Sequence, residues 1–161
     1  MLRQVRELSL VALVVAGCAK KEEAPAPAPA PKAAAASPME NETYVVAIQS
    51  AGAWKAGAEG SATIRVTAKP PLHVNPEYPV SFKPEGSEAV AFAKEKLPLT
   101  ASSKTPCAAK AEDTCSAEFP VAATPEKAGA GKLAGVLAFS VCSEDKCLIE
   151  KVPVTLAINA E

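Results

Sequence analysis

The chain has 161 residues, of which 48% are hydrophobic and 22% charged, and its formal net charge at pH 7 is −1. A chain of this length can bury a single core, but a nearly neutral charge provides no basic surface for nucleic acid. Nucleic-acid binding is therefore excluded as an expected function.

Residues 1–17 have the layout of a secretory signal peptide. Arg3 and Arg6 precede an apolar run at residues 8–16, which is about half of the roughly 20 residues that a transmembrane helix needs. The run leads into Val-Ala-Gly-Cys, which resembles a bacterial lipobox with Cys18 as the lipidated residue. The alternative is an ordinary cleaved signal followed by an incidental cysteine. The lipobox interpretation predicts a lipid-anchored protein of the cell envelope that faces the periplasm.

Residues 18–40 are predicted to form a tether between the anchor and a folded domain. They contain an alternating Ala-Pro run, which disfavours helix before each proline and favours polyproline II. At about 3.1 Å per residue, this tether could hold a domain about 60 to 70 Å from the membrane. Ala19, rather than aspartate, follows Cys18. By analogy with enteric sorting, this favours the outer membrane.

The remaining residues, 41–161, are predicted to form one all-β domain. No segment sustains a 3.6-residue apolar period over three turns, whereas short runs alternate between apolar and polar residues. In residues 61–69, for example, Ile64 and Val66 should point inward. Seven or eight short strands, separated by Pro and Gly turn signals, favour an immunoglobulin-like antiparallel β-sandwich. Residues 102–114 have the composition of a loop or a short helix instead.

The last two apolar runs, within residues 132–158, predict a β-hairpin with residues 143–146 as its loop. Cys142 then lies directly opposite Cys147, at a separation that a disulfide can bridge. Because side chains alternate between the two faces, one face is apolar and the cysteines lie on the more polar one. The cysteine pair is therefore expected on or near the accessible side. Glu150 falls on the apolar face, against the pattern. The other pairs that this register predicts are Val141 with Leu148, Ser140 with Ile149, Phe139 with Glu150, Ala138 with Lys151, Leu137 with Val152, and Leu133 with Leu156.

The cysteine count points to disulfides. Five cysteines are present, and four remain if Cys18 carries lipid. An even number in an exported protein indicates disulfides, and sequence proximity favours Cys107 with Cys115 and Cys142 with Cys147 among three possible connectivities. The alternative is a zinc site, but compact zinc sites usually contain a tighter cysteine pair. Neither a metal nor another cofactor is expected.

His73 is the single histidine of the chain and follows a double proline. We interpret it as a structural residue at a strand edge, with proton transfer to a thiol as the alternative. The sequence has no hydrolase motif and no complete phosphate-binding loop. Hydrolase and nucleotide chemistry are therefore not supported.

The order of several segments resembles that of a known family. These segments are residues 61–82, a loop, the run at 118–123, and the closing hairpin with its C-x4-C and Val-Pro-Val motifs. The resemblance is to the N-terminal periplasmic domain of the DsbD thiol:disulfide interchange family. It implies an immunoglobulin-like sandwich whose final hairpin carries a redox-active pair, here Cys142 and Cys147. It also implies a periplasmic thioredoxin-like protein as a partner.

The family shields its cysteine pair with a cap loop rich in acidic and aromatic residues. The corresponding residues here, 102–114, contain no aromatic residue, and Cys107 and Cys115 lie within and just after them. We predict a structural disulfide between these two cysteines that folds the loop back towards the hairpin pair. Two functions stay open: thiol:disulfide exchange, and a non-enzymatic envelope module that binds or scaffolds a partner and whose disulfides are purely structural.

Overall fold

The structure is a computed structural model, and it describes residues 36–161. This part of the chain contains no helix, and every pair of strands is antiparallel, so the predicted all-β class is confirmed. The predictions for the signal peptide, Cys18 and most of the tether lie outside the described residues. The strands are β1 (Met39–Glu40), β2 (Tyr44–Ser50), β3 (Gly60–Ala68), β4 (His73–Val74), β5 (Ser81–Pro84), β6 (Val90–Ala91), β7 (Leu97–Pro98), β8 (Ser103–Pro106), β9 (Thr114–Pro125), β10 (Gly129–Cys142) and β11 (Cys147–Ala160).

The strands are joined in one open, hydrogen-bonded path. Its order is β1-β2-β3-β9-β4-β10-β5-β7, with β11 paired to β10 and both β6 and β8 paired to β9. Because β4 pairs with both β9 and β10, it connects the strands β1, β2, β3 and β9 to the strands β10, β5, β7 and β11. The immunoglobulin-like sandwich stays a prediction. Four of the strands, β1, β4, β6 and β7, are only two residues long, which is why the sequence predicted fewer strands.

The core follows from strict alternation along the long strands. In β3, Ile64 and Val66 are fully buried as predicted, while Arg65 between them is exposed. Phe119 of β9 and Phe139 of β10 are also completely buried. Removing side chains of this size from water stabilises the fold by about 1.5 to 3 kcal/mol each.

The closing hairpin has the predicted register. All the predicted pairs between β10 and β11 are present, including Cys142 opposite Cys147. The hairpin is longer than expected, because pairing continues to Gly129 and Ala160 at its open end. Residues 129–131 therefore belong to β10, which is reached from β9 through residues 126–128.

Glu150, which broke the apolar pattern, has a partner in the structure. The hydroxyl of Tyr44 donates to Glu150 Oε2 at 3.2 Å, and the Tyr44 ring packs edge-on against Phe139 with 5.0 Å between ring centroids. Burial raises the pKa of the Tyr44 hydroxyl, and the adjacent carboxylate raises it further. The hydroxyl therefore keeps its proton and can donate, so the half-buried carboxylate is hydrogen-bonded.

Two segments differ from their sequence interpretation. Residues 36–40 belong to the folded part, because Ala36 N donates to Ile48 O at 3.2 Å and β1 pairs with β2. Residues 102–114 contain the short edge strand β8 rather than a helix. A proline is tolerated at the end of such an edge strand, and Pro106 closes β8.

Candidate functional site

Both predicted local disulfides are present. Cys107 is bonded to Cys115, with their Cα atoms 4.7 Å apart, and Cys142 is bonded to Cys147, with their Cα atoms 4.0 Å apart. The backbone N of Ser143 donates to Lys146 O at 2.8 Å, so the cysteines occupy the next, non-hydrogen-bonded pair, where Cα atoms approach most closely. The C-x4-C spacing and the hairpin turn thus determine this disulfide together.

The two hairpin cysteines differ sharply in exposure. Cys142 is only 4% exposed, whereas Cys147 is exposed. The expectation that the pair lies on the accessible side is therefore correct for Cys147 and wrong for Cys142. The cause is the position of the two strands. β10 has β4 and β5 along its other side, with His73 opposite Cys142. Within residues 36–161, β11 has no second neighbouring strand, apart from an isolated bridge at Ala160.

The turn at the end of the hairpin is held by Ser143. Its hydroxyl oxygen accepts hydrogen bonds from the backbone N atoms of Asp145 and Lys146, both at 3.3 Å, and the hydroxyl also lies 3.3 Å from Lys146 O. Serine side chains commonly stabilise turns in this way. The exposed sulfur of Cys147 is thus carried on an ordered turn.

Ser140 lies beside the buried sulfur. Its Oγ atom is 3.7 Å from Cys142 Sγ, and the residue is 1% exposed. A disulfide sulfur carries no hydrogen, so the serine hydroxyl is the donor. Ser140 was predicted to lie opposite Ile149 in the hairpin, but no role was predicted for it. The signal that could have found it is the two-residue spacing, which puts both side chains on one face of β10.

Ile149 lies opposite Ser140 on the outer strand of the hairpin. It is 60% exposed and is the one large exposed hydrophobic residue in the described part of the chain. Because Ile149 and Cys147 are two residues apart on β11, their side chains share a face. The exposed sulfur therefore has an apolar side chain beside it.

His73 lies on β4, between the strands that carry the two disulfides. Its Nδ1 atom is 3.5 Å from Asp113 Oδ2 in the loop between the loop cysteines. Its backbone pairs with Cys142, but no hydrogen bond joins its imidazole to a sulfur among the contacts of residues 36–161. The expected position at a strand edge is wrong, because β4 is paired on both sides, with β9 and with β10. The structural role of His73 stays a prediction.

The loop between Cys107 and Cys115 lies next to the hairpin turn. Lys110 Nζ is 3.7 Å from Glu144 Oε1, which joins the loop to the turn. A cavity of about 660 Å³ opens between them. Neither hairpin cysteine lines this cavity, and Cys147 is exposed, so the loop borders the hairpin without covering the exposed sulfur. The lining residues are Pro70, Pro71, Leu72, His73, Cys107, Ala108, Ala109, Lys110, Asp113, Cys115, Ser143, Glu144 and Asp145.

Within the described residues, no group of three or more His, Cys, Asp and Glu side chains is placed to hold a metal ion. Residues 36–161 also contain no helix with the length and apolarity that crossing a bilayer requires. The chemically distinctive groups of this part of the protein are thus the two disulfides and their immediate neighbours.

Comparison of the chain with protein-family models, curated proteins and solved structures found no significant match. The resemblance to the DsbD N-terminal domain therefore stays a prediction from the sequence.

Proposed function

We propose that this protein is a lipid-anchored component of the bacterial cell envelope whose β domain exchanges its hairpin disulfide with the thiols of a partner protein. The observation that carries the proposal is the unequal exposure of the two cysteine residues. Cys147 is open to an incoming thiolate, whereas Cys142, to which it is bonded, is buried. The Cα atoms of the two residues are 4.0 Å apart. An exposed disulfide is more readily reduced than a buried structural one.

The exposure of Cys147 defines the order of the exchange. A partner thiolate attacks Cys147 Sγ, the bond between the two sulfurs breaks, and its electron pair moves to Cys142 Sγ. The products are a mixed disulfide at Cys147 and a thiolate at Cys142. A second partner thiolate then attacks the partner's own sulfur in the mixed disulfide, and Cys147 leaves as a thiolate. The partner loses two electrons and the hairpin pair gains them.

The partner proposed for this reaction is a periplasmic thioredoxin-like protein. The proposal draws on the resemblance of the closing hairpin to the DsbD N-terminal domain, and on the signal and lipobox pattern that would export and anchor the chain. The Ala-Pro tether would let the domain reach a partner about 60 to 70 Å from the membrane. Ala19 after the lipidated cysteine favours the outer membrane.

We expect the hairpin disulfide to have a reduction potential above about −300 mV, the level below which structural disulfides lie. The physical reason is that exposed disulfides have higher, more oxidising potentials than buried structural ones. The measurement is equilibration with glutathione buffers in the Cys107→Ala/Cys115→Ala variant, which retains only the hairpin pair of the domain.

The matched control is the Cys142→Ala/Cys147→Ala variant, which retains only the loop disulfide. Its potential is expected below about −300 mV, because we assign that bond a structural role. A hairpin potential below the same level would rule out the exchange function.

Replacing Cys18 by Ser is expected to release the protein from the membrane or leave an uncleaved precursor, because the lipid is attached through this thiol. The wild-type protein should partition into the detergent phase on phase separation, since two or more acyl chains give durable anchoring. The control is the Cys142→Ser variant, which retains Cys18 and is expected to be lipidated like the wild-type protein. Wild-type protein in the aqueous phase would contradict the anchor.

A second candidate function is a non-enzymatic binding module of the envelope. The cavity of about 660 Å³ beside the loop disulfide favours it, because its lining combines the apolar side chains of Pro70, Pro71 and Leu72 with charged ones. Under this function the hairpin disulfide is structural. A hairpin potential below about −300 mV would favour this candidate over exchange.

A further inference from the structure

We infer that the hydroxyl of Ser140 stabilises the thiolate that forms on Cys142 when the hairpin disulfide opens. The inference rests on the proposed exchange function and names the group that assists it. Ser140 touches a reacting atom, since its Oγ atom is 3.7 Å from Cys142 Sγ.

The environment of Ser140 is unusual for a serine. The residue is 1% exposed, so its hydroxyl has almost no access to water. Within residues 36–161, its side chain has no hydrogen-bond partner other than Cys142 Sγ. Sulfur in a disulfide is only a weak acceptor, and a buried hydroxyl that lacks a good acceptor destabilises the folded state. In the oxidised protein, therefore, Ser140 contributes less to stability than an apolar residue of similar size would.

Opening of the disulfide changes this balance. When a partner thiolate attacks Cys147 Sγ, the electron pair of the broken bond goes to Cys142 Sγ, which becomes negatively charged. The sulfur lies in a buried site, where a charge without a donor is costly. The Ser140 hydroxyl already lies within hydrogen-bonding distance of this sulfur, so the weak contact becomes a charge-assisted hydrogen bond that is about twice as strong as a neutral one.

The hydrogen bond therefore acts on the leaving group of the exchange. A thiol that is stabilised as its thiolate leaves faster, and a donor that is already in place does not need to reorganise during the reaction. The exposed sulfur of Cys147 accepts the attack, and Ser140 helps the buried sulfur to depart. The exposed cysteine is thus the one that is attacked, and the buried cysteine is the one that leaves.

The test compares Ser140→Ala with the unchanged protein in the full chain. The rate of reduction of the hairpin disulfide by dithiothreitol is measured by quenching with an alkylating agent and quantifying the hairpin peptide by mass spectrometry. We expect the variant to be reduced about threefold more slowly. The reason is that loss of the hydroxyl should raise the midpoint of Cys142 ionisation by about one pH unit, which makes its thiolate a poorer leaving group. A purely structural role predicts the opposite direction, because a loosened hairpin exposes its disulfide and is reduced faster.

A second measurement follows the thiolate directly. In the Cys18→Ser/Cys147→Ser background, Cys142 is the one free thiol, and its ionisation is followed by thiolate absorbance in the ultraviolet. We expect Ser140→Ala to move the midpoint of this pH profile upward by about one pH unit.

The matched control is Ser81→Ala. Ser81 is also a buried serine beside β10, opposite Ala138, but it does not contact Cys142. Its replacement should change neither the reduction rate nor the pH profile. An unchanged or faster reduction in Ser140→Ala, an unchanged midpoint, or an equal slowing in Ser81→Ala would overturn the inference. Failure of the proposed function is a different result: a hairpin potential in the range of structural disulfides, measured with Ser140 in place.

Discussion

A free thiol at Cys147 is expected to react much faster with an aromatic disulfide reagent than a free thiol at Cys142. The two variants are Cys142→Ser and Cys147→Ser, each in a full chain that also carries Cys18→Ser, so that one free thiol is present in each. Cys147 is exposed, whereas Cys142 is 4% exposed and reacts only when β10 opens locally. An opening free energy of about 1.4 kcal/mol already slows the reaction tenfold. We therefore expect a difference of at least about tenfold, measured from the release of the coloured thiolate.

Denaturation provides the control for this experiment. In guanidinium chloride both thiols are exposed, so the two variants should react at similar rates. Equal rates in the folded proteins would contradict the proposal that partners attack Cys147. Faster reaction of Cys142 would reverse the assignment of the attacked and the leaving sulfur.

Gly135→Ala is expected to destabilise the fold by about 3 kcal/mol. Gly135 lies in the middle of β10, opposite Pro84 of β5, and a Cβ atom there would meet Lys83 O and the ring of Phe82 more closely than real Cβ atoms approach. Neither group can move easily, because the first is backbone and the second belongs to a fully buried ring. The midpoint of thermal unfolding, followed by circular dichroism, should fall by roughly 10 °C.

Gly52→Ala is the matched control for this change. A Cβ atom at Gly52 has nothing within 4 Å, so its stability should stay within about 0.5 kcal/mol of the unchanged protein. If Gly135→Ala melts at the same temperature as Gly52→Ala, the close packing of β5 on β10 is not as the structure shows it. Because the site disulfide lies at the end of β10, this packing also supports the burial of Cys142.

Several features of the fold could be predicted from local sequence. The alternation of apolar and polar residues has a period of two in a strand, and a short polar turn fixes which residues lie opposite one another. These two constraints were sufficient for the register of β10 and β11, and with it the disulfide between Cys142 and Cys147. The same alternation predicted the buried residues of β3.

Other features depend on partners that are distant in sequence. Residues 36–40 looked like tether because their composition continues that of the Ala-Pro run, yet they pair with β2. The carboxylate of Glu150 looked misplaced on an apolar face, and its partner Tyr44 is more than one hundred residues away. Local patterns cannot reveal such contacts, because they are formed only when separate strands pack together.

Periodicity, turn residues and short spacing along the chain were enough to predict the all-β class, the hairpin register and the two local disulfides. The difference in exposure between the two cysteines, in contrast, depends on the tertiary structure. Cys142 and Cys147 lie on the same face of one hairpin, and local pattern treats them alike. Their difference arises because β10 is flanked by β4 and β5 on its other side, whereas β11 is the outer strand. The same packing buries Ser140 against Cys142 Sγ, because burial is set by neighbouring strands and not by the residue itself.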